Sequence, residues 1–133
     1  MVLMKLFIFS LLFGMNLFGA TLAQQQKALV PALQADLKLF GITDAKVILA
    51  VKRDKDMGNC GCWGKTTFTE SAAEITIVAV EDLGDGIAEK DRKEFQETIV
   101  QHEVMHIKLS MMGVPPQAQD TIILGLQPSL RKR

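Results

Sequence analysis

A segment from about residue 88 to residue 112 constrains the fold of this chain more than any other part of its sequence. The segment is rich in strong helix formers, and it places Glu89 four residues before Lys93, a spacing that supports a helix. Gly113 and Pro115 follow directly as helix terminators. We therefore predict one long helix here. The chain has 133 residues, which is enough for only one domain and one hydrophobic core around that helix.

A shorter helix and a small sheet are predicted before the long helix. From Leu29 onward, apolar residues recur at helical spacing up to a stop at Gly41, and Pro31 falls in the expected first turn. Those apolar residues are Leu29, Val30, Leu33, Leu37 and Phe40. β-branched, apolar runs over residues 45–51 and 74–80 predict strands, and residues 66–69 lead into the second of them.

A last helix is predicted over residues 117–126. Its core-facing side chains are expected to be Ala118, Ile122, Ile123 and Leu126. The predicted fold class is therefore α+β. A single small domain would contain an N-terminal helix, a sheet of two to three strands, the long helix and a C-terminal helix.

The charge balance excludes some classes of partner. Fifteen basic and fifteen acidic side chains give a formal net charge of zero, so the chain lacks the basic surface that nucleic acid binding requires. With 48% apolar and 23% charged residues, the composition is that of a globular protein rather than a disordered one.

The N-terminal residues have the layout of a secretory signal peptide. Lys5 precedes an apolar stretch over residues 6–18, and small residues lead to Ala23. The apolar stretch is shorter than the roughly 20 residues that span a membrane. We predict a signal peptide over residues 1–23 and a mature domain over residues 24–133, which would be periplasmic or secreted and would have no stable membrane span. The alternative is an uncleaved N-terminal anchor.

The long helix contains the sequence His102-Glu103-Val104-Met105-His106. Residues four apart lie one above the other on a helix, so both imidazoles can reach a single metal ion. Glu103 lies on the adjoining flank, close enough to take a proton from metal-bound water. A chance coincidence of three core residues is the alternative, but these are the only two histidines in the chain.

The helical face that carries these histidines is apolar at its other positions. Phe95, Ile99, His102, His106 and Leu109 share it, so we expect the imidazoles to point toward the core rather than into solvent. Apolar residues on the other sides indicate that the helix is covered on most faces. A buried Glu103 without a charge partner would be costly, and a divalent cation would remove that difficulty.

A catalytic zinc site normally has three protein ligands and one open position. After His106 the only remaining Asp, Glu, His or Cys is Asp120, which makes it the default third ligand. Gly113 and the prolines after it would allow the last helix to fold back toward the histidines. The alternative role for Asp120 is a favourable charge at a helix N-terminus. Upstream acids also remain candidates, namely Glu70, Glu74 and Glu81.

The segment over residues 98–107 resembles the active-site helix of zincin metallopeptidases, and the whole layout resembles their smallest bacterial and phage members. The resemblance implies zinc (Zn²⁺) on His102 and His106, Glu103 as the general base and an acidic third ligand, for which Asp120 is the only residue in register. It also implies that an exposed strand, over residues 66–69 or 74–80, binds an extended peptide or protein substrate along the sheet edge.

Two departures limit the resemblance. Metzincins have Gly three residues and His or Asp six residues after the second histidine, whereas this chain has Leu109 and Met112, so that subclass is excluded. The chain has no Tyr, and a donor to the transition-state oxyanion would have to be Arg, Lys, backbone or water. The predicted function is an exported zinc-dependent hydrolase. The alternative is a non-catalytic metal-binding or interaction module.

The two cysteines, Cys60 and Cys62, form a second pattern in a glycine-rich stretch. In an exported protein a disulfide between them is expected, although a bridge across the single residue Gly61 is tight and relatively easy to reduce. An intermolecular bridge, free thiols or thiolate coordination of the zinc are the alternatives. Trp63 is expected either in the core or in a substrate-pocket wall.

Overall fold

A computed structural model describes residues 19–130, and the α+β class is confirmed. Three helices and three strands are arranged in one domain: α1 (Leu22–Leu39), β1 (Lys46–Lys52), β2 (Gly64–Phe68), β3 (Ala72–Val78), α2 (Arg92–Met111) and α3 (Pro116–Leu130). Residues 1–18 of the predicted signal peptide lie outside the described part of the chain. No helix within residues 19–130 is both long enough and apolar enough to cross a bilayer.

The sheet has the strand order β1-β3-β2. β1 runs parallel to β3, and β2 runs antiparallel to it. The central strand β3 carries Ile75 and Ile77, which are both fully buried. It ends at Val78, two residues before the predicted end, because Val80 begins a short 3-10 turn. The central position of β3 leaves β1 and β2 as the two edges of the sheet.

The helix α1 begins seven residues before the predicted start at Leu29. Thr21 caps it through a capping box with Gln24, a polar signal that an apolar periodicity does not contain. Pro31 therefore lies inside the helix, not in its first turn as predicted. It is exposed, so water can solvate the carbonyl that loses its backbone donor. The predicted cleavage position after Ala23 falls within the first turn of α1.

The helix α2 begins at Arg92, later than the predicted residue 88, because residues 89–91 form a 3-10 turn. Its core side packs against the sheet and α1. The core cluster draws on all these elements and includes Leu29, Leu33, Leu49, Ile75, Ile77, Val100, Val104 and Ile107.

The last helix, α3, extends from Pro116 to Leu130, beyond the predicted end at residue 126. Ile123 is fully buried as expected, but Leu126 is 51% exposed and the prediction for that residue is wrong. Gln127 instead faces α2, where its Nε2 donates to the Thr98 carbonyl at 2.6 Å. A polar residue thus takes a contact that the apolar pattern had assigned to Leu126.

Candidate metal centre

The two histidines of α2 lie one helical turn apart with ring centroids separated by 4.9 Å. Their side chains remain 24% and 20% exposed, and they line a cleft rather than the core. The prediction that they point toward the core is wrong. The sheet and α1 already bury the other side of α2 through Val100, Val104 and Ile107, which turns the histidines toward the gap between β2 and α3.

Asp120 reaches both imidazoles from the first half of α3. Its Oδ1 lies 3.3 Å from His102 Nε2 and 3.0 Å from His106 Nε2. The three ligand atoms all lie within 4.8 Å of one another. In the part of the chain that the structure describes, this is the only group of its kind, and the upstream candidates Glu70, Glu74 and Glu81 do not join it.

This donor set fits a zinc ion in its chemistry and in the two separations that involve Asp120. Two imidazole nitrogens and one carboxylate oxygen are a donor combination typical of catalytic zinc. Bonds of ordinary length in a tetrahedral site place neighbouring donor atoms about 3.3 to 3.4 Å apart. The two separations that involve Asp120, 3.0 and 3.3 Å, are close to this value. The Asp120 side chain is 69% exposed, so the fourth side of the site is open to the cleft.

Glu103 lies beside the histidines and is only 5% exposed. The Thr66 hydroxyl on β2 donates to its Oε1 at 2.8 Å, which leaves Oε2 as the oxygen without that bond. Burial raises the pKa of the Glu103 carboxyl, while the Thr66 hydrogen bond and the nearby imidazoles act in the opposite direction. The arrangement holds a buried carboxyl in a fixed orientation next to the three potential ligands.

Gly64 allows β2 to approach α2 closely at this point. A Cβ atom on Gly64 would overlap the side chain of Ile99 and would lie 3.3 Å from Glu103 Oε2. The close contact brings Thr66, two residues further along the same face of the strand, within reach of Glu103. Gly64 was not among the predicted site residues, and Thr66 was predicted only as part of a substrate-binding strand, because nothing local in β2 indicates which helix residue it will face.

Gln119 was not among the predicted site residues either. It is 3% exposed and lies next to Asp120 on α3. Its Oε1 is 2.7 Å from His106 Nδ1, and its Nε2 donates to the Val114 carbonyl at 2.9 Å and to the Ser110 hydroxyl at 3.1 Å. Its position next to a predicted ligand is the only sequence signal that could have identified it.

The cleft around these residues has a volume of about 690 Å³. The histidines, Glu103 and Asp120 line it together with several large apolar side chains: Trp63, Phe68, Phe95, Ile99 and Leu124. Trp63 is 43% exposed and meets Phe95 edge to face at 5.0 Å, so it is a wall residue and not a core residue. Lys65 also lines the cleft, but its Nζ donates to the Met57 carbonyl at 2.9 Å.

The strand β2 has an open backbone edge along this cleft. The Trp63 carbonyl accepts from Val78 N, and Thr69 N donates to the Ala72 carbonyl, each at 2.8 Å. Along an antiparallel pair of strands, every second residue directs its backbone N–H and C=O groups at the partner strand. The backbone groups of the residues between them, Gly64, Thr66 and Phe68, therefore point away from β3. No hydrogen bond from another element of residues 19–130 occupies them. The alternative edge over residues 74–80 is wrong, because β3 is the central strand.

Cys60 and Cys62 are bonded to each other at the entrance of β2. This confirms the expected intramolecular bridge across Gly61 and leaves no thiolate for the metal centre. Gly61 adopts a φ of 61°, a left-handed conformation that glycine tolerates best. The disulfide therefore closes a small loop directly before Trp63.

Comparisons of the chain with protein-family models, with curated proteins and with solved structures gave no match. The function of this protein therefore has to be inferred from its sequence and from the geometry of the site.

Proposed function

We propose that this protein is an exported zinc-dependent hydrolase of the zincin type that cleaves peptide bonds. The observation that carries the proposal is that the ligand atoms of His102, His106 and Asp120 lie within 4.8 Å of one another, next to a buried glutamate that accepts a hydrogen bond from Thr66. A structural metal site needs four ligands and no neighbouring base, whereas this group offers three ligands, an open side and a carboxyl.

The chemistry that zinc supplies in such a site is the acidification of water and the polarisation of a carbonyl group. Glu103 accepts a proton from the attacking water, and the hydrogen bond from Thr66 directs this role to Oε2. The water oxygen bonds to the peptide carbon, and Glu103 then delivers its proton to the departing amine nitrogen as the C–N bond breaks. Glu103 is 5% exposed, so the surrounding side chains shield its carboxyl from most of the bulk water.

The open edge of β2 supports an extended peptide or protein as the substrate. Gly64, Thr66 and Phe68 direct unpaired backbone groups away from β3 along the cleft that contains Glu103. A peptide in extended conformation satisfies such groups by adding one strand to the sheet. The β1 edge lacks this relation to the site, and Gln26 of α1 accepts there from Val51 N at 3.3 Å.

Export is part of the proposal. The layout of residues 1–23 supports it, and a disulfide between Cys60 and Cys62 is typical of an oxidising compartment. Cleavage after Ala23 would remove Thr21, the cap of α1, whereas an uncleaved leader would retain it. Mass spectrometry of the protein from its native host would give the N-terminal residue and decide between a signal peptide and an anchor.

A metal-binding module without hydrolytic activity is the second candidate. The observation that favours it is the lack of an obvious oxyanion donor among the described cleft residues. Lys65 is the one lysine or arginine among those residues, and its Nζ donates to the Met57 carbonyl. Hydrolysis would then rely on backbone or solvent donors to stabilise the transition state.

Replacing Glu103 with Gln tests the proposed mechanism. Because the amide retains the shape of the side chain but has no basic oxygen, we expect cleavage of internally quenched peptides to fall about 10² to 10⁴-fold, with unchanged zinc content. Glu94→Gln, an exposed position on the same helix, is the matched control and should leave both quantities unchanged.

Equal activity in wild type and Glu103→Gln would exclude this mechanism. A wild-type protein that retains one zinc per chain but cleaves no member of a broad peptide library would establish the second candidate.

Replacing Asp120 with Ala tests the third ligand. We expect the zinc affinity, measured by competition with a chromogenic chelator, to fall at least about tenfold, because loss of a direct ligand exceeds the usual effects of outer residues. Asp85→Ala, at an exposed aspartate outside the cleft, is the matched control. Undiminished affinity in Asp120→Ala would show that another group completes the site.

A further inference from the structure

Gln119 joins three parts of the molecule around His106. It lies on α3, it contacts Ser110 near the end of α2, and it contacts Val114 in the turn between these helices. Its third partner is the Nδ1 atom of His106 at 2.7 Å, which is the shortest of the three hydrogen bonds. A residue that is 3% exposed and uses both ends of its amide in this way has little freedom to rotate.

The Val114 contact determines which way the amide faces. A backbone carbonyl can only accept a hydrogen bond, so the atom of Gln119 that lies 2.9 Å from it has to be the NH₂ group. The amide oxygen then faces His106. Since that oxygen can only accept, Nδ1 of His106 carries the proton and donates it.

This hydrogen bond favours one tautomer of the imidazole, because a neutral ring with its proton on Nδ1 has its lone pair on Nε2. Asp120 Oδ1, 3.0 Å from Nε2, acts in the opposite direction in metal-free protein, since a carboxylate can accept a proton from that nitrogen. A cation between Nε2 and Oδ1 would remove this competition. His102 differs, because its Nδ1 makes no hydrogen bond to any residue that the structure describes. Of the two imidazoles, only His106 therefore has a partner at Nδ1 that favours a lone pair on Nε2.

We propose that Gln119 is a positioning residue that holds His106 with its Nε2 lone pair directed at the metal position and thereby sets the zinc affinity of the site. Part of this inference rests on the proposed function, since it assigns a role toward zinc. The effect on the tautomer does not, because it concerns the imidazole alone. Gln119 also precedes Asp120 on α3, so the same amide fixes the helix segment that presents the third ligand.

Two substitutions separate positioning from simple structural support. Gln119→Met retains the volume but loses every hydrogen bond. Gln119→Glu retains an oxygen acceptor for His106 but loses the donors to Val114 and Ser110. Gln127→Met is the matched control, because Gln127 is another buried glutamine of α3 that bonds the Thr98 carbonyl and not a histidine.

The measurements are the ¹⁵N chemical shifts of the histidine rings in chelator-treated protein at alkaline pH, the zinc affinity by chelator competition, and the thermal unfolding midpoint. For Gln119→Met we expect a mixed tautomer at His106 and a zinc affinity about 10 to 100-fold lower. For Gln119→Glu we expect a lower unfolding midpoint but a zinc affinity within about threefold of wild type, since the Glu oxygen can still accept from His106 Nδ1 and orient the ring. For Gln127→Met we expect only the lower midpoint.

An unchanged tautomer and an unchanged zinc affinity in Gln119→Met would overturn the inference. It would also be overturned if Gln119→Glu lost as much affinity as Gln119→Met, because support of the fold would then explain both losses. A wild-type protein that binds no zinc would refute the proposed function instead, and the ¹⁵N shifts would still decide whether Gln119 controls the tautomer.

Discussion

The two sides of α2 differ in how their residues are stabilised. On one side Val100, Val104 and Ile107 are at most 1% exposed and pack into the hydrophobic core. On the other side His102 and His106 stay partly exposed and have polar partners from α3. The core side lowers the free energy of the folded state through burial, whereas the cleft side holds groups whose burial is unfavourable unless they are paired. The comparison indicates that one side fixes the helix in place while the other presents the candidate metal ligands to the cleft.

The largest expected effect on stability comes from the core side. Ile107→Ala removes a fully buried side chain, and we expect the free energy of unfolding to fall by about 2 to 5 kcal/mol. Leu124→Ala is the control on the cleft side. Leu124 is 66% exposed, so its loss should change stability by less than about 0.5 kcal/mol. Urea unfolding measures both, and similar values for the two variants would contradict the assignment of the sides.

An intermediate effect is expected at the contact between β2 and α2. Gly64→Ala inserts a methyl group where Ile99 and Glu103 already lie, so we expect a loss of about 1 to 3 kcal/mol in stability. To make room for the methyl group, β2 would have to move away from α2, and Thr66 would move away from Glu103 with it. Peptide cleavage per folded molecule should therefore fall as well. Unfolding curves and kcat measured on the same preparation would detect both changes.

Gly86→Ala serves as the control for this substitution. A Cβ atom at Gly86 would meet nothing within 4 Å. Cleavage by Gly86→Ala should therefore stay at the wild-type level, and its stability should be unchanged or slightly higher. If Gly64→Ala behaved in the same way, β2 could not be packed as tightly against α2 as the structure has it.

The smallest effect concerns the ionisation of Glu103 in protein treated with a chelator. Burial raises the pKa of this carboxyl in the folded protein, so the folded state binds more protons than the unfolded state. Its contribution to stability therefore decreases as the pH rises from the usual glutamate value of about 4.3 through the folded pKa. Glu103→Gln should consequently be more stable than wild type near neutral pH, and the difference should shrink toward pH 4. A difference that grew on acidification would show that the folded pKa is lowered.

The sequence predicted the elements that depend on local pattern. The spacing of His102 and His106 sets their relation on any helix, and Asp120 was the only acid after them, so the structure could be expected to bring these three together. Gly41 ends α1 with a φ of 65°, as its position predicted. These features follow from helix geometry and from the limited choice of residues.

Contacts between distant residues could not be predicted in the same way. Thr66 and Glu103 are 37 positions apart, and their hydrogen bond depends on which strand becomes the sheet edge beside α2. The burial of Gln119 and Gln127 depends on how α3 rotates against α2, which an apolar pattern did not reveal when it placed Leu126 in the core. The direction of the histidines depended in turn on which side of α2 the sheet would cover.

The distribution of the three donor atoms over two helices has a mechanical consequence. Two donors belong to α2 and the third to α3, and the turn at Gly113 separates them. An ion held by all three would act as a cross-link that closes the chain between His106 and Asp120. A bound ion would then also oppose the separation of the last helix from the rest of the domain, and removal of the ion would release this constraint.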